Sequence, residues 1–300
     1  MRVILIKILM TVVVAAGIYL LWIIPKPADT PLGKKAVVQL EDGARIAYYH
    51  SGARGQTIVL LASLGRSVSD FNLLAPALNE AGFQTIAIDL RGVGASRFAP
   101  RQSKLTLFDY ANDIEAALAD DGASDNEPLI VIGHAFGNRV ARAFATQNTD
   151  RVQAIVLIAS GGSQKLEPGQ RVSTALGNCF NWKMFPPKRV GEIRYAFFSG
   201  DNKIPASWKR GWRRQAARLQ INATRTTPVA QWRDGGGIAP MLILQGKHDR
   251  IAPAALTSAK LKKDFPNRVQ IITIDNAGHA ILPEQPKTVA DEILKFLLKR

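Results

Sequence analysis

Short apolar runs and longer amphipathic stretches alternate along the chain from about residue 37. The runs are rich in Val, Ile and Leu, which is typical of strands buried on both faces of a sheet. The predicted strands are residues 57–61, 84–88, 129–132, 154–159, 241–245 and 269–274. Apolar residues at helical spacing predict helices over residues 71–81, 107–119, 136–147 and 288–298. This alternation predicts an α/β fold with a mostly parallel central sheet flanked by helices. Residues 37–40 and 45–50 flank an Asp-Gly pair and predict an additional hairpin.

The N-terminal segment follows a different pattern, since residues 3–24 are apolar except for Lys7 and Thr11. A helix of that length spans roughly 33 Å at about 1.5 Å per residue, enough to cross a bilayer. We therefore predict an N-terminal transmembrane helix as membrane anchor over residues 1–25, a proline-containing linker over 26–36 and one domain over 37–300. A single-pass protein with its domain on the non-cytoplasmic side is expected. A cleaved signal peptide is the alternative, but the apolar run is longer than is usual for one and no small-x-small site follows it.

Residues 165–233 interrupt the alternation, because no strand pattern occurs there. The segment has 14 Lys or Arg against three Asp or Glu, and four of the five tryptophans, in a chain of net charge +15. We interpret it as a helical insertion that forms a lid over the carboxyl ends of the strands. Two interpretations of its basic residues stay open: contact with anionic lipid headgroups, and a solvated helix face with the tryptophans in the core of the lid. Nucleic acid is not an expected partner, since no nucleic-acid-binding motif accompanies the charge.

Three short motifs follow predicted strands and carry the candidate chemistry. Gly133-His134-Ala135-Phe136-Gly137 has the spacing of a sharp strand-to-helix turn that presents a nucleophile, with Ala135 at the nucleophile position. Asp249 follows the strand at 241–245, and His279 follows the strand at 269–274. An acid in this place orients an imidazole, and a histidine accepts and returns protons.

Together with Asp89-Leu90-Arg91-Gly92-Val93-Gly94-Ala95-Ser96, these motifs make the chain resemble the α/β-hydrolase fold family, near its enol-lactonase, haloperoxidase and esterase branch. The resemblance implies hydrolysis of an ester or lactone of a small apolar substrate, with no cofactor and no metal. It also implies an oxyanion hole formed by the backbone N–H groups of Leu64 and Phe136. Ser63, His134, Trp182 and Trp208 are the residues that we expect around the substrate pocket.

Two positions depart from the family pattern. The methyl group of Ala135 cannot attack a carbonyl carbon. Ala62-Ser63-Leu64 stands where the family usually has His-Gly-x. Three interpretations stay open: an alanine introduced into an active hydrolase to trap a ligand, natural divergence to an Asp249–His279 dyad that activates water, and an inactive membrane-tethered binding or scaffold protein.

Three other side chains carry a hydroxyl or thiol that could replace the missing nucleophile. Ser63 lies in the predicted oxyanion loop and Ser160 at the end of the predicted strand 154–159, but an ordinary polar loop role is the simpler interpretation of both. Cys179 is the single cysteine and has no disulfide or zinc partner. We predict that it is a small apolar residue of the core.

Overall fold

The computed structural model describes residues 2–23, 26–123, 127–160 and 169–299, and within the first helix the side chains of residues 7, 8 and 10–18. The strands are β1 (Lys34–Gln39), β2 (Arg45–Ser51), β3 (Thr57–Leu61), β4 (Gln84–Ile88), β5 (Leu129–His134), β6 (Val152–Ile158), β7 (Met241–Gly246) and β8 (Val269–Ile274). The α-helices are α1 (Arg2–Ile23), α2 (Ala75–Glu80), α3 (Leu107–Asp121), α4 (Phe136–Gln147), α5 (Gln170–Cys179), α6 (Pro186–Phe197), α7 (Arg214–Thr226), α8 (Ser258–Asp264), α9 (Ile281–Glu284) and α10 (Pro286–Leu298).

The strands form one eight-stranded sheet in the order β1-β2-β4-β3-β5-β6-β7-β8. β1 and β2 pair antiparallel, as do β2 and β4, and every pair from β4 onwards is parallel. The predicted hairpin and the mostly parallel sheet are therefore confirmed. β3, β4 and β5 are buried at every position, as the continuous apolar runs predict.

Helices cover both faces of the sheet, so the core has two halves. On one face, α3 and α4 pack against the sheet through side chains such as Ile114 and Phe144. On the other face, α2 and α10 contribute residues such as Leu78 and Ile293. The sheet thus holds the carboxyl ends of its parallel strands at one rigid edge.

The insertion is helical within its described residues, 169–233, where it forms α5, α6 and α7. It has a core of its own, in which Trp208 and Trp212 are each 1% exposed and pack with Phe197 and Phe180. Cys179 is fully buried in the same cluster, as expected for an apolar core residue. The insertion therefore has enough apolar contacts to hold its helices in place.

One predicted helix needs correction. The helix predicted over residues 71–81 is shorter, because Val68–Phe71 is a 3₁₀ turn and α2 begins only at Ala75, next to Pro76. Proline fixes φ and has no N–H, so it is tolerated at a helix start but not inside.

The expected membrane span coincides with α1. No helix is both long and apolar enough to cross a membrane within the described part of the chain, and the side chains of residues 1–6, 9 and 19–25 lie outside that part.

Candidate active site

A sharp turn joins β5 to α4, with Ala135 at its apex. Ala135 has φ of 49° and ψ of −104°, a conformation that non-glycine residues rarely adopt. A Cβ on Gly133 would lie 2.4 Å from the backbone of Gly137, and a Cβ on Gly137 would lie 2.2 Å from the carbonyl oxygen of Leu61. The two glycines therefore allow strand and helix to approach closely, and the residue between them is presented at the edge of the sheet.

Asp249 and His279 meet at the same edge. Nδ1 of His279 donates to Oδ2 of Asp249 over 2.8 Å, and both side chains are about 5% exposed or less. Oδ1 of Asp249 accepts from the backbone N–H groups of Ile251 and Ala252, at 2.9 and 2.8 Å. Gln245 donates to Oδ2 at 2.9 Å. Because the carboxylate fixes the proton on Nδ1, Nε2 of His279 is the nitrogen with a free lone pair.

The loop that carries His279 is held by a partly buried carboxylate, Glu284, that sequence reasoning missed. Oε2 of Glu284 accepts from the backbone N–H of Gly278 at 2.7 Å. Oε1 accepts from the backbone N–H of Ser199 at 2.7 Å and from Nδ2 of Asn202 at 2.8 Å. Glu284 therefore ties the histidine loop to the chain that follows α6.

A cavity of about 530 Å³ lies beside the turn. Ser63, Leu64, Ala135, Phe136 and His279 contribute to one wall. Two helices of the insertion, α5 and α7, contribute to the rest. The structure thus brings together most of the residues predicted for the site around one space.

Leu64 and Phe136, whose backbone N–H groups were predicted to form the oxyanion hole, both line this cavity. Phe136 is the first residue of α4, so its N–H has no acceptor within the helix. No described residue accepts a hydrogen bond from either N–H group. That these two N–H groups bind an oxygen atom of a ligand stays a prediction.

Three residues predicted around the pocket do not line it, at least among the residues that the structure describes. His134 is fully buried behind the turn, because successive side chains of β5 point to opposite faces. Trp208 is in the core of the insertion, where the guanidinium carbon of Arg66 lies 4.3 Å from the centre of its ring. Trp182 donates to the carbonyl oxygen of Trp212 at 3.2 Å and borders a separate, smaller cavity.

Residue types alone did not reveal four basic residues of the cavity wall. Arg139 is on α4, and Arg214, Arg218 and Arg225 are on α7. The spacing of four and seven residues along α7 puts the last three on one helix face, a signal that was present in the sequence. Ser160 is fully buried and is not among the lining residues, whereas Ser63 is.

The motif at residues 89–96 holds the 3₁₀ turn at Val68–Phe71 in place through Asp89. Asp89 accepts from Oγ of Ser67 at 2.7 Å, from the backbone N–H of Val68 at 3.0 Å and from that of Ala95 at 3.0 Å. A Cβ on Gly94 would overlap the Asp89 carboxylate, which explains the glycine. Among the residues that the structure describes, no three His, Cys, Asp or Glu side chains cluster in a way that could hold a metal ion.

Comparisons with known proteins agree with this architecture. A family model described as alpha/beta hydrolase fold matches residues 56–286. Protein ABHD8 of Bos taurus is 21% identical over 270 residues, which cover 88% of this chain and 61% of that protein. The chain therefore spans about three fifths of the length of that relative. The sn-1-specific diacylglycerol lipase ABHD11 of Mus musculus is 23% identical over 256 residues, or 80% of each chain.

Among solved structures, a membrane phospholipase A described as a bacterial virulence factor superposes with a TM-score of 0.68. It is 20% identical and the match covers 99% of this chain and 98% of that one, a likeness that shows the fold alone. Since the family model spans the sheet from β3 to the start of α10, and the strand order and the turn at Ala135 agree with it, the protein belongs to the α/β-hydrolase fold family.

Proposed function

We propose that this protein hydrolyses an ester or lactone of a small apolar substrate, with water activated by the Asp249–His279 pair in place of a serine nucleophile. The observation that carries the proposal is the 2.8 Å hydrogen bond from His279 to Asp249, because His279 lines the same cavity as Ala135. The name of the mouse relative, a diacylglycerol lipase, supports an ester substrate with apolar chains.

The proposed reaction proceeds in two steps. Nε2 of His279 takes a proton from water, and the resulting hydroxide adds to the carbonyl carbon of the ester. The oxyanion formed accepts hydrogen bonds from the N–H groups of Leu64 and Phe136. The tetrahedral intermediate then collapses, and the leaving alkoxide takes the proton back from His279. Asp249 stabilises the imidazolium between the steps.

The methyl group of Ala135 is compatible with this route. Ala135 stands at the position where members of the family carry their nucleophile. An alanine there removes the acyl-enzyme route, because a methyl group is not nucleophilic. General base catalysis contributes roughly 10²- to 10⁴-fold, which suffices for a reactive ester or a strained lactone. The proposed substrates are therefore activated ones.

The test compares ester and lactone hydrolysis by four forms of the full chain: the parent, Ala135→Ser, His279→Ala and Asp249→Asn. We expect activity in the parent and a loss of roughly 10²-fold or more in His279→Ala and Asp249→Asn. His50→Ala, a histidine on β2 away from the cavity, is the matched control. Activity only in Ala135→Ser would contradict water activation by the Asp249–His279 pair. It would instead support a hydrolase that the alanine at position 135 has inactivated, whether by design or by divergence. Activity in no form would favour a ligand-binding role.

We further propose that α1 holds the protein at a membrane, with the domain on the non-cytoplasmic side. The large apolar side chains described on α1 support this, since all are exposed: Ile8, Met10, Val12, Val13, Val14 and Ile18. Exposed apolar surface of this extent favours a nonpolar environment. The full chain should remain in the membrane fraction after carbonate washing, and a chain beginning at Lys34 should not. Recovery of both in the soluble fraction would contradict the proposal.

The basic insertion is proposed as a second membrane contact. Each Lys or Arg near an anionic headgroup surface contributes about 1 kcal/mol. A chain beginning at Lys34 should therefore bind vesicles that contain phosphatidylglycerol at low salt and be released at high salt. Equal binding to pure phosphatidylcholine vesicles would show that charge is not the cause.

A further inference from the structure

The cavity beside Ala135 has a strongly basic wall. Arg139 of α4 and Arg214, Arg218 and Arg225 of α7 all line it. Among the described lining residues, none is an aspartate or a glutamate. The rest of the lining is mostly aliphatic or aromatic, so the cavity combines apolar surface with positive charge.

The four arginines differ in exposure, since Arg214, Arg218 and Arg225 are exposed to solvent. None of the ion pairs formed by the described residues includes Arg139, Arg214, Arg218 or Arg225. Arg139 is partly buried, and that burial lowers its pKa to about 10, which leaves it charged at neutral pH. Keeping a partly buried charge unpaired is unfavourable. An anion in the cavity would remove this cost.

The placement of the arginines also fits one ligand with two parts. On α7, Arg214, Arg218 and Arg225 share a helix face with Ile221. Arg139 lies three residues after Phe136, at the N-terminal turn of α4, where the helix dipole adds positive potential. Leu176 and Phe180 provide apolar surface to the same cavity.

We propose that the cavity binds an anionic amphiphile, in which an apolar body packs on Leu176, Phe180 and Ile221 and a carboxylate or phosphate group is held by Arg139 and the α7 arginines. A guanidinium matches both oxyanions because it donates two parallel hydrogen bonds. The assignment of such a molecule as an ester substrate rests on the proposed function, whereas the anion site stands on the arginines alone.

The experiment measures binding rather than turnover. The full chain in phosphatidylcholine nanodiscs is titrated by calorimetry with matched pairs of equal chain length, octanoate against octanamide and octyl phosphate against 1-octanol, with empty nanodiscs as the blank. We expect the anion to bind about tenfold tighter or more in at least one pair. The pair that shows the preference identifies the carboxylate or the phosphate as the recognised group. Equal affinity within both pairs would overturn the proposal.

Variants then locate the anion site. Arg139→Gln and Arg218→Gln should each remove most of the preference for the anion. Arg139→Lys should keep part of it and reports whether the fold tolerates a change at this position. Lys188→Gln is the matched control, because Lys188 is an exposed basic residue of α6 that does not line the cavity. An equal loss in Lys188→Gln would mean that general surface charge, not the cavity, attracts the anion.

The two proposals fail separately. If the anion preference persists but the parent has no ester turnover, or His279→Ala keeps the parent's turnover, only the proposed hydrolysis is wrong. If ester turnover depends on His279 but the paired ligands bind equally, only the anion site is wrong.

Discussion

Nε2 of His134 donates a hydrogen bond to the backbone carbonyl oxygen of His279 over 2.9 Å, so the histidine behind the turn supports the histidine at the cavity. The carbonyl oxygen only accepts, which places the proton of His134 on Nε2. Nδ1 of His134 has no hydrogen-bond partner among the described residues. Burial, reinforced by the neighbouring His279, lowers the pKa of His134 to about 3. His134 is therefore a neutral, structural residue at physiological pH.

The lowered pKa of His134 makes the stability of the fold depend on pH. Between pH 6.5 and about 3, the unfolded chain binds a proton at His134 and the folded chain does not. The free energy of unfolding should therefore fall as the pH is lowered through this range, by up to about 1.4 kcal/mol per pH unit from this side chain. His134→Gln keeps a donor for the carbonyl oxygen and removes the titration. Urea unfolding from pH 4 to 8 should show a smaller slope for His134→Gln; equal slopes would contradict the assignment.

Because β5 and α4 approach closely at the turn, Gly137→Ala and Gly191→Ala should change the stability of the fold in opposite directions. Gly137→Ala puts a methyl group 2.2 Å from the carbonyl oxygen of Leu61, so strand or helix must shift. We expect a loss of roughly 3 kcal/mol, at the upper end of overpacking costs. Gly191→Ala, inside α6 where a Cβ meets nothing within 4 Å, should instead stabilise by about 0.5–1 kcal/mol. Thermal unfolding followed by circular dichroism compares them, and similar effects of the two changes would argue against the tight turn.

The sequence predicted the sheet and the pairing of Asp249 with His279 because both follow from local patterns. Apolar runs mark buried strands, and side chains just after parallel strands converge at one edge. The tryptophans could not be placed in the same way. Trp182 and Trp208 were expected at the pocket, yet helical spacing does not tell whether a residue packs inside the insertion or faces the cavity. Glu284 was missed because its partners at Ser199 and Asn202 are some 80 residues away along the chain.

Removal of the Glu284 carboxylate should loosen the loop that carries His279. Glu284→Gln puts an amide NH₂ group against the N–H donors of Gly278 or Ser199, so at least one hydrogen bond is lost. We expect the free energy of unfolding to fall by about 1–3 kcal/mol, and any His279-dependent turnover to fall with it. Glu292→Gln is the control, since the one ion pair of this α10 carboxylate within the described part of the chain is a long contact of 3.9 Å with Lys295. Equal stability of both variants would contradict a positioning role for Glu284.

Cys179 should be chemically silent in the folded protein. Burial raises the pKa of its thiol to about 12, and Sγ donates to the carbonyl oxygen of Ala175 at 3.2 Å. Only the thiolate is nucleophilic, so an upward shift from 9.0 to about 12 lowers the reactive fraction about 10³-fold at neutral pH. Iodoacetamide should label the chain in urea and leave the native chain unlabelled over the same time. Because Cys179 is the single cysteine, mass spectrometry gives an unambiguous result. Cys179→Ala should then retain the parent's ester turnover, and a loss of turnover in that variant would make the thiol, rather than water activated by His279, the attacking group.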